Sequence, residues 1–428
     1  MTELMLTILG VWFVALFLGV PIFASMGLAG AAFVAINGIP SSVVAQRVAM
    51  AANSFPLVAA PLFILMGNIM NSAGITERIF GFAKALVGWM RGGMCHANIM
   101  ASIIFAGMSG SAVADAGGVG TIEIKAMRDE GYDAETAAAI TAASATIGPI
   151  IPPSLPMIIY GVSADTSIGG LFLGGVIPGL LMGGALMLLI VALARRRNMP
   201  SHPWEGLGAL WAAFRRAFFA LMTPVILFGG MMTGYFTPTE ASAVATAYAL
   251  ALGLWVYRDF DLRDLPRLVL DTVETTGVVM ALVMTAALLA WCLSVSRIPQ
   301  LVGGILTHDV ANPILFLLLV NVLLLVVGLF MEAIAAMLIL VPILVPPAIA
   351  LGIDPVQFGL IVVLNLMIGT ITPPVGVVLF VTARVAGISF ERMSRAIVPY
   401  LIPLLAVLAA ITFYPPLTTA LPALLLGN

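Results

Sequence analysis

Short runs of glycine, proline and hydroxyl residues interrupt stretches that are otherwise apolar. One run is GMSGS at residues 107–111, and another is IGPIIPP at residues 147–153. The second run recurs 221 positions later as IGTITPP at residues 368–374, with Ile, Gly, Ile and both prolines unchanged. Each proline removes a backbone donor and clashes with the preceding turn, so neither stretch is a continuous helix. The carbonyl and amide groups freed in this way must be satisfied by something other than lipid.

The residues of these runs indicate which ligands they suit. Ser109 and Ser111 supply hydroxyl groups, and the adjacent glycines leave backbone amides approachable at a helix N-terminus, an end that favours anions. The hydroxyls of Thr370 and Thr372, with freed carbonyls, are neutral oxygen ligands of the kind that suit Na⁺. Because neither tip contains Lys or Arg, we expect a carboxylate to be held by helix dipoles, amides and hydroxyls.

The composition is that of a polytopic membrane protein. Hydrophobic residues make up 61% of the chain and charged residues only 9%, whereas each membrane span needs about 20 predominantly apolar residues. The net charge of -2 argues against a nucleic-acid partner. Cys95 and Cys292 are isolated in apolar surroundings, which makes a disulfide framework or a metal site improbable. The N-terminus lacks the basic region of a cleavable signal, so we expect the first segment to remain as a span.

The elements that must position these residues can be placed in order along the first half. We expect a polar-leaning loop between the second and third spans, and an amphipathic interfacial helix at 76–91. Residues 94–127 form two arms of about 14 to 17 residues, which reach about 21–25 Å and fall short of a hydrocarbon core of about 30 Å. A re-entrant hairpin is therefore predicted, followed by a broken helix at 134–163. The predicted spans of this half lie near residues 5–20, 22–37, 55–72 and 168–194.

The second half repeats the plan of the first. We predict a second hairpin at 313–351 and a second broken helix at 356–384, in register with the first half from Gly107/Gly328 to Pro178/Pro399. The predicted spans lie near residues 217–234, 239–257, 269–296 and 396–418. The chain is thus expected to contain two repeats, 1–194 and 217–428, joined by a cytoplasmic linker at 195–216.

The distribution of positive charge predicts that the repeats are inverted. Arg91, Lys125 and Arg128 flank the first hairpin, whereas His308, Asp309 and Asp354 flank the second. Because Lys and Arg near span ends stay preferentially cytoplasmic, the hairpins are expected to enter from opposite sides. The remaining arginine clusters, at 195–197, 258–267 and 392–395, are cytoplasmic if both chain termini are periplasmic.

Several polar residues have a structural explanation as well as a functional one. Asp115 either satisfies amides in the first turn of the inner arm, the favoured interpretation, or binds an ion. Glu332 at the second tip suits functional contact or a buried hydrogen bond equally. The run 109–111 could instead be a small-residue packing seam between helices. Polar residues expected to serve the fold are a helix-start acid and interhelical amides, namely Glu240, Asn68, Asn98 and Asn365.

Three motifs together resemble those of the large membrane subunit (M, dicarboxylate type) of tripartite ATP-independent periplasmic (TRAP) transporters. They are GMSGSAVAD at residues 107–115, GYFTPTEA at 234–241 and GTITPPVG at 369–376. The resemblance covers essentially the whole chain. It implies an elevator-type transporter with a scaffold and a transport domain built from the hairpins and broken helices.

The resemblance also implies where ligands bind. One Na⁺ would lie between the first tip and the first break, and a second Na⁺ between the second tip and the second break. The residues of the first site are Ser109, Ser111, Gly148, Ile151 and Pro153. Those of the second site are Gly328, Glu332, Gly369, Thr370 and Thr372. Substrate would contact Ser109, Gly110, Ser111, Ser154, Thr372 and Pro374. No cofactor and no transition metal are expected.

The function implied is Na⁺-coupled import of an organic acid across the bacterial cytoplasmic (inner) membrane. A periplasmic solute-binding protein and a small four-helix membrane subunit (Q type) would be partners. A stand-alone divalent-anion/Na⁺ symporter of similar hairpin architecture is an alternative, and a channel suits duplicated occluding hairpins less well. An enzyme acting on lipids is a further alternative. It would need a clustered set of acid, base or metal-binding residues, such as H-E-x-x-H, which the sequence lacks. The identity of the acid does not follow from the residues.

Overall fold

The computed structural model describes residues 1–427 apart from 198, 202, 299, 302–303 and 305–311, and it leaves out the side chains of 17, 107–109 and 114. Within this part of the chain every regular element is helical, and eight helices are long and apolar enough to cross a membrane. The predicted all-α polytopic architecture is confirmed. His308 and Asp309, which entered the orientation argument, lie outside the described residues.

The first half is a succession of short and long helices. Their bounds are α1 (Thr2–Phe17), α2 (Ile22–Ile36), α3 (Ser42–Ala52), α4 (Ala59–Ser72), α5 (Ile75–Val87), α6 (Gly93–Ser109), α7 (Ala112–Gly117), α8 (Val119–Asp129), α9 (Ala134–Ala145), α10 (Leu155–Ser163) and α11 (Ile168–Arg196). A 3-10 turn, Phe55–Val58, precedes α4. The prediction of a loop between the second and third spans is wrong, because α3 occupies it. No glycine or proline interrupts that segment, and its alanines favour a helix.

The first helix after residue 200 extends into the predicted linker. The helices of the second half are α12 (Gly206–Met232), α13 (Pro238–Ala251), α14 (Leu265–Val295), α15 (Pro313–Phe330), α16 (Ala333–Ala350), α17 (Pro355–Gly369), α18 (Val377–Ala386), α19 (Phe390–Phe413) and α20 (Pro416–Leu426). A π-helical segment, Leu252–Tyr257, continues α13. Residues 206–216 of the predicted linker form the start of α12, and the assignment of 195–216 to a cytoplasmic linker stays a prediction. Alanine and leucine are frequent there and favour helix.

Two helices are interrupted at the repeated proline motif. α9 ends at Ala145 and α10 begins at Leu155, while α17 ends at Gly369 and α18 begins at Val377. In both gaps the bond between the two prolines is cis. α9 and α17 are the most enclosed helices, since all residues from Thr136 to Ala145 and from Gln357 to Gly369 are buried. The first break therefore lies in the interior of the protein, whereas the second is buried at Thr370 and Ile371 and exposed at Pro374.

Each pair of hairpin arms has its base at a different place along the first broken helix. At the base of α6, the Gly92 amide donates to the Pro200 carbonyl (3.0 Å), which also accepts from the hydroxyl of Tyr132 just before α9 (3.4 Å). At the other end, the Tyr160 hydroxyl in α10 donates to the carbonyl of Pro355, which follows α16 (3.0 Å). The base of α6–α8 thus lies near the start of α9, and the base of α15–α16 lies near the end of α10.

Candidate functional site

The tip between α6 and α7 touches the far side of the first break. Gly110 has φ +60°, a backbone conformation that residues other than glycine rarely adopt. A Cβ placed on Gly110 would lie 2.8 Å from the Pro153 carbonyl oxygen and 3.1 Å from the Leu155 nitrogen. The polypeptide backbones of tip and break are therefore in direct contact, as a shared binding site requires.

Asp115 forms a second contact between the first tip and the first break. Asp115 lies in the short helix α7 and is only 5% exposed. Its Oδ2 atom is 2.3 Å from the position that a Cβ of Gly148 would take. The carboxylate thus lies against the bare Cα of Gly148, inside the break. This contact places Asp115 beside the residues predicted for the first Na⁺ site.

A buried polar network connects α6, α8 and α9 behind this tip. The Asn98 amide donates to Glu123 Oε2 (2.8 Å) and to Thr141 Oγ1 (2.8 Å), and Asn98 Oδ1 accepts from the Ser144 hydroxyl (2.6 Å). All four side chains are buried, and Glu123 is only 1% exposed. Asn98 is an interhelical hydrogen-bonding residue, as predicted. Glu123 was missed, although an acid within the second arm of an apolar hairpin is a recognisable signal.

The second tip meets the second break through two glycines. A Cβ on Gly369 would lie 2.7 Å from the Gly328 Cα and 2.8 Å from its carbonyl carbon. Glu332, between α15 and α16, caps α16 by accepting from the amides of Ile334 (2.9 Å) and Ala335 (3.1 Å) through Oε2. Asn365, just before this break, donates to the side-chain oxygen of Asn321 in α15 (2.7 Å). The second hairpin is thus fixed to the second broken helix as closely as the first is to its own.

The threonines of the second break hold the local backbone. The Thr370 hydroxyl donates to the Met367 carbonyl (2.6 Å), and the Thr372 hydroxyl donates to the Ile368 carbonyl (2.7 Å). The Thr370 carbonyl accepts from the Val378 amide across the break (3.1 Å). A hydroxyl that donates its proton keeps its oxygen lone pairs, so both threonine oxygens are able to contact a cation.

One cavity of about 710 Å³ lies between the two tips and three other helices. Ser111 and Val113 border it from the first tip, and Glu332, Ile334 and Ala335 border it from the second. Leu155 and Val377, the residues that begin α10 and α18, complete that side. Its opposite side is formed by α2, α4 and α14, through residues such as Phe23, Asn68 and Thr275. Among the described residues that line this cavity, none is a lysine or an arginine.

The predicted site residues do not all reach this cavity. Ser111 and Glu332 line it, while Gly110, Gly328 and Gly369 lie in the contacts between tip and break. Ser154 is fully buried and its hydroxyl donates to the Pro149 carbonyl (2.5 Å), and Pro374 is exposed and does not border the cavity. Gly148, Ile151, Pro153 and Thr370 are buried in the breaks and Thr372 is half-buried. The side chain of Ser109 lies outside what the structure describes.

Other polar residues singled out in the sequence serve the fold. Glu240 forms a capping box with Thr237 at the start of α13, as predicted. The Asn68 amide donates to the Thr272 hydroxyl between α4 and α14 (3.0 Å). Within the described residues no group of three His, Cys, Asp or Glu side chains could hold a metal ion.

Comparison with known proteins identifies a family. The model of the DctM component of tripartite ATP-independent periplasmic transporters matches residues 9–417. The sialic acid TRAP transporter large permease protein SiaM of Vibrio cholerae is 46% identical over 417 residues, which is 97% of this chain and 98% of that protein. The C4-dicarboxylate TRAP transporter large permease protein DctM of Pseudomonas aeruginosa is 41% identical over 400 residues, 93% of each chain.

A solved structure shares the fold at much lower sequence identity. The crystal structure of the YdaH transporter of Alcanivorax borkumensis superposes with a TM-score of 0.64 at 15% identity and covers 88% of both chains. This likeness concerns the arrangement of helices alone.

Proposed function

The chain belongs to the family of DctM components of TRAP transporters, and we propose that it imports an organic acid together with Na⁺ by an elevator movement. It is a multi-pass large permease subunit of a bacterial transporter, not an enzyme. The observation that carries the proposal is the cavity bounded by both tips on one side and by α2, α4 and α14 on the other.

The relatives indicate the chemical class of the substrate more directly than the lining of the cavity does. The amides of Ile334 and Ala335, at the start of α16, are bound by the carboxylate of Glu332, which itself borders the cavity, so this helix end is already capped by an acid. Ser111 adds a hydroxyl, and the wider wall is apolar. The two relatives are named for sialic acid and for C4-dicarboxylates, both of which carry a carboxylate. We therefore propose a carboxylate as the substrate class.

Two Na⁺ ions are proposed at the contacts between tip and break. The first would use the backbone of Gly148–Pro153 with Ser111 and, by its position, the carboxylate of Asp115. The second would use Thr370, Thr372 and carbonyls near Gly328 and Gly369. Because the same tips border the cavity, an ion that orders a tip also favours substrate binding, and the two affinities are linked.

The elevator is supported by how the protein divides around the cavity. The two hairpins and two broken helices enclose the breaks and would move together as the transport domain. α2, α4 and α14 contribute the opposite wall and would remain as the scaffold. Contacts at the two hairpin bases, near Tyr132 and Tyr160, agree with hairpins that enter from opposite sides. We propose that both chain termini are periplasmic, in the inner membrane, and that a Q-type subunit and a solute-binding protein are the partners.

Uptake by the reconstituted transporter tests this function. The purified chain is placed in vesicles with its small subunit, and the acid is supplied on the binding protein with an inward Na⁺ or K⁺ gradient. We expect uptake only with Na⁺. Uptake by the chain alone, with no binding protein, would instead favour a stand-alone symporter, and uptake that is indifferent to Na⁺ would contradict ion coupling.

Threonine variants test the second ion site. Thr372→Ala should raise the Na⁺ concentration for half-maximal uptake by about tenfold, an effect of the size of one lost polar contact. Ser111→Ala should weaken Na⁺-dependent uptake as well. Thr382→Ala is the matched control, because the Thr382 hydroxyl makes the same bond to a carbonyl one turn earlier, Val378, within α18 and away from the break (3.0 Å). An unchanged Na⁺ dependence in Thr372→Ala and Ser111→Ala would contradict these site assignments.

A further inference from the structure

Further cavities lie along α14 and α16, the helices that also border the cavity between the two tips. We call the cavity between the tips the substrate cavity. Three cavities of about 420, 490 and 530 Å³ adjoin one another, since neighbouring ones share Ser163, Pro342, Ser54 or Asp165 among their lining residues. We call these three cavities the crevice. One wall is formed by α3 and α14, and the other by α10 and α16.

The crevice ends close to the substrate cavity. On α16, Ala335 borders the substrate cavity and Leu338 borders the crevice, a separation of three residues or about 4.5 Å of helix. On α14, Leu282 and Val283 border the two spaces in succession. Val283 and Leu338 are buried, so the connection is closed in this structure. A ligand that entered the crevice would have only this short barrier between it and the tips.

Arg47 is the one lysine or arginine among the residues that line the crevice. It is also the only charged residue between Glu3 and Glu77 in the sequence. In the proposed orientation α3 lies at the periplasmic end, where lysine and arginine are disfavoured. The positive charge of Arg47 therefore stands at a position where the membrane topology disfavours it.

The guanidinium group of Arg47 is held by an aromatic ring and not by an acid. Its Cζ atom lies 5.3 Å from the centre of the Trp291 ring, in α14. Among the described residues no carboxylate is within ion-pair distance of Arg47, and Asp165, the acid of the crevice, borders the two cavities that Arg47 does not. Arg78 shows the contrast. Its Cζ atom lies 4.2 Å from the centre of the Tyr257 ring, and its Nη2 atom also pairs with Asp259 at 2.6 Å.

The contact with the Trp291 ring leaves the guanidinium of Arg47 able to bind an anion. A cation over the face of a ring is attracted through its charge, and this attraction does not require the N–H donors of the guanidinium, which match the two oxygens of a carboxylate. Arg47 is half-buried in a crevice with a largely apolar wall, where an anion would be attracted more strongly than in bulk water.

We propose that Arg47, positioned by Trp291, forms an anion-capture site at the mouth of the crevice, which receives the carboxylate of the substrate before it reaches the tips. This inference rests on the proposed function. The site acts on entry, so it affects uptake from the periplasmic side without being part of the cavity between the tips.

Uptake kinetics test the site in the intact transporter. With the substrate-loaded binding protein at saturating concentration, Arg47→Gln should lower the uptake rate about tenfold, the effect of one lost charged hydrogen bond. Arg47→Lys keeps the charge and should retain more uptake, and Arg78→Gln should resemble the parent protein. A normal rate in Arg47→Gln would overturn the proposal. So would a defect that vanishes once the binding protein is saturating, because Arg47 would then serve docking.

A quenching experiment tests the anion site without transport, so its failure is distinguishable from failure of the proposed function. The exposed tryptophans Trp89, Trp204, Trp211 and Trp255 are replaced by Phe; Trp12, which is buried, is kept. Iodide, an anion, should then quench the remaining emission through Trp291. Arg47→Gln should reduce iodide quenching by about half and leave quenching by neutral acrylamide unchanged, since only the local charge differs. Equal iodide quenching in both proteins would overturn the anion site even if uptake is Na⁺-coupled.

Discussion

At the first tip, Gly110 is required both by its backbone conformation and by its surroundings. Gly110→Ala combines a strained φ of +60° with a Cβ 2.8 Å from the Pro153 carbonyl oxygen. We expect the variant to lose about 2–4 kcal/mol of stability, from strain and overpacking together. Thermal unfolding in detergent measures this loss. Gly131→Ala is the matched control, because Gly131 has φ +87° and open space around it. Equal losses in the two variants would show that the contact with the break is unimportant.

Asn98 provides a second test at the scale of one residue. Asn98→Ala removes two donated bonds and one accepted bond from a fully buried network. Because Glu123, Thr141 and Ser144 would each lose a partner without gaining water, we expect a loss of about 3–5 kcal/mol in stability.

The control for this variant is Asn37→Ala, since Asn37 is half-buried and its amide donates only to the Phe33 carbonyl of its own helix (2.8 Å). Asn37→Ala should change the unfolding midpoint much less. An equally small change in Asn98→Ala would mean that the network does not stabilise the hairpin.

At this scale the sequence predicted the residue types of the site better than their partners. Gly110, Gly369 and the prolines were recognisable because their effect on the backbone is local. The contact of Asp115 with Gly148 and the cation–π contact of Arg47 with Trp291 join residues far apart in sequence. Such contacts depend on how the helices pack, which no local pattern contains.

Between elements, the second hairpin and the second broken helix are joined by glycine against glycine. A Cβ on Gly369 would be 2.7 Å from the Gly328 Cα, which is backbone and cannot move aside alone. We expect Gly369→Ala to separate α15 from α17, to cost about 1–3 kcal/mol in stability and to abolish most Na⁺-dependent uptake.

Unfolding midpoints and uptake rates of Gly369→Ala are compared with those of Gly277→Ala, a change in α14 where nothing lies within 4 Å of the added carbon. Gly277→Ala should resemble the parent protein. Full uptake by Gly369→Ala would contradict the view that this close contact maintains the second site.

Element boundaries were predictable where a strong local signal exists. Pro21 precedes α2, and both proline motifs interrupt helices. The short helix α3 and the split of the returning arm at Gly118 were not predicted. In α3 the apolar content is too low for a span, and composition alone did not distinguish a short helix from a loop. The polar residues of this segment suggested a loop, but polarity indicates that a segment is exposed to solvent and does not indicate its backbone conformation.

For the whole molecule, the composition and the repeated motif predicted a polytopic helical transporter, and family membership agrees with that prediction. The division into two inverted repeats stays a prediction, as does the orientation. Both depend on the membrane and on a charge pattern part of which, at His308 and Asp309, lies outside the described residues. What the structure adds at this scale is the joint cavity, because both tips and α2, α4 and α14 border one space.

Na⁺ should stabilise the folded protein as a ligand that binds only the folded state. If each ion binds between a tip and a break, it binds only the folded state and stabilises it by mass action, by about 2.7 kcal/mol at a hundredfold excess over its dissociation constant. The unfolding midpoint of the purified chain should therefore be higher in NaCl than in KCl of equal ionic strength. Thr372→Ala should reduce this difference, whereas Thr382→Ala should preserve it. Equal midpoints in NaCl and KCl for the parent protein would show that neither tip binds Na⁺ in the absence of substrate, and coupling would then have to arise after the acid has bound.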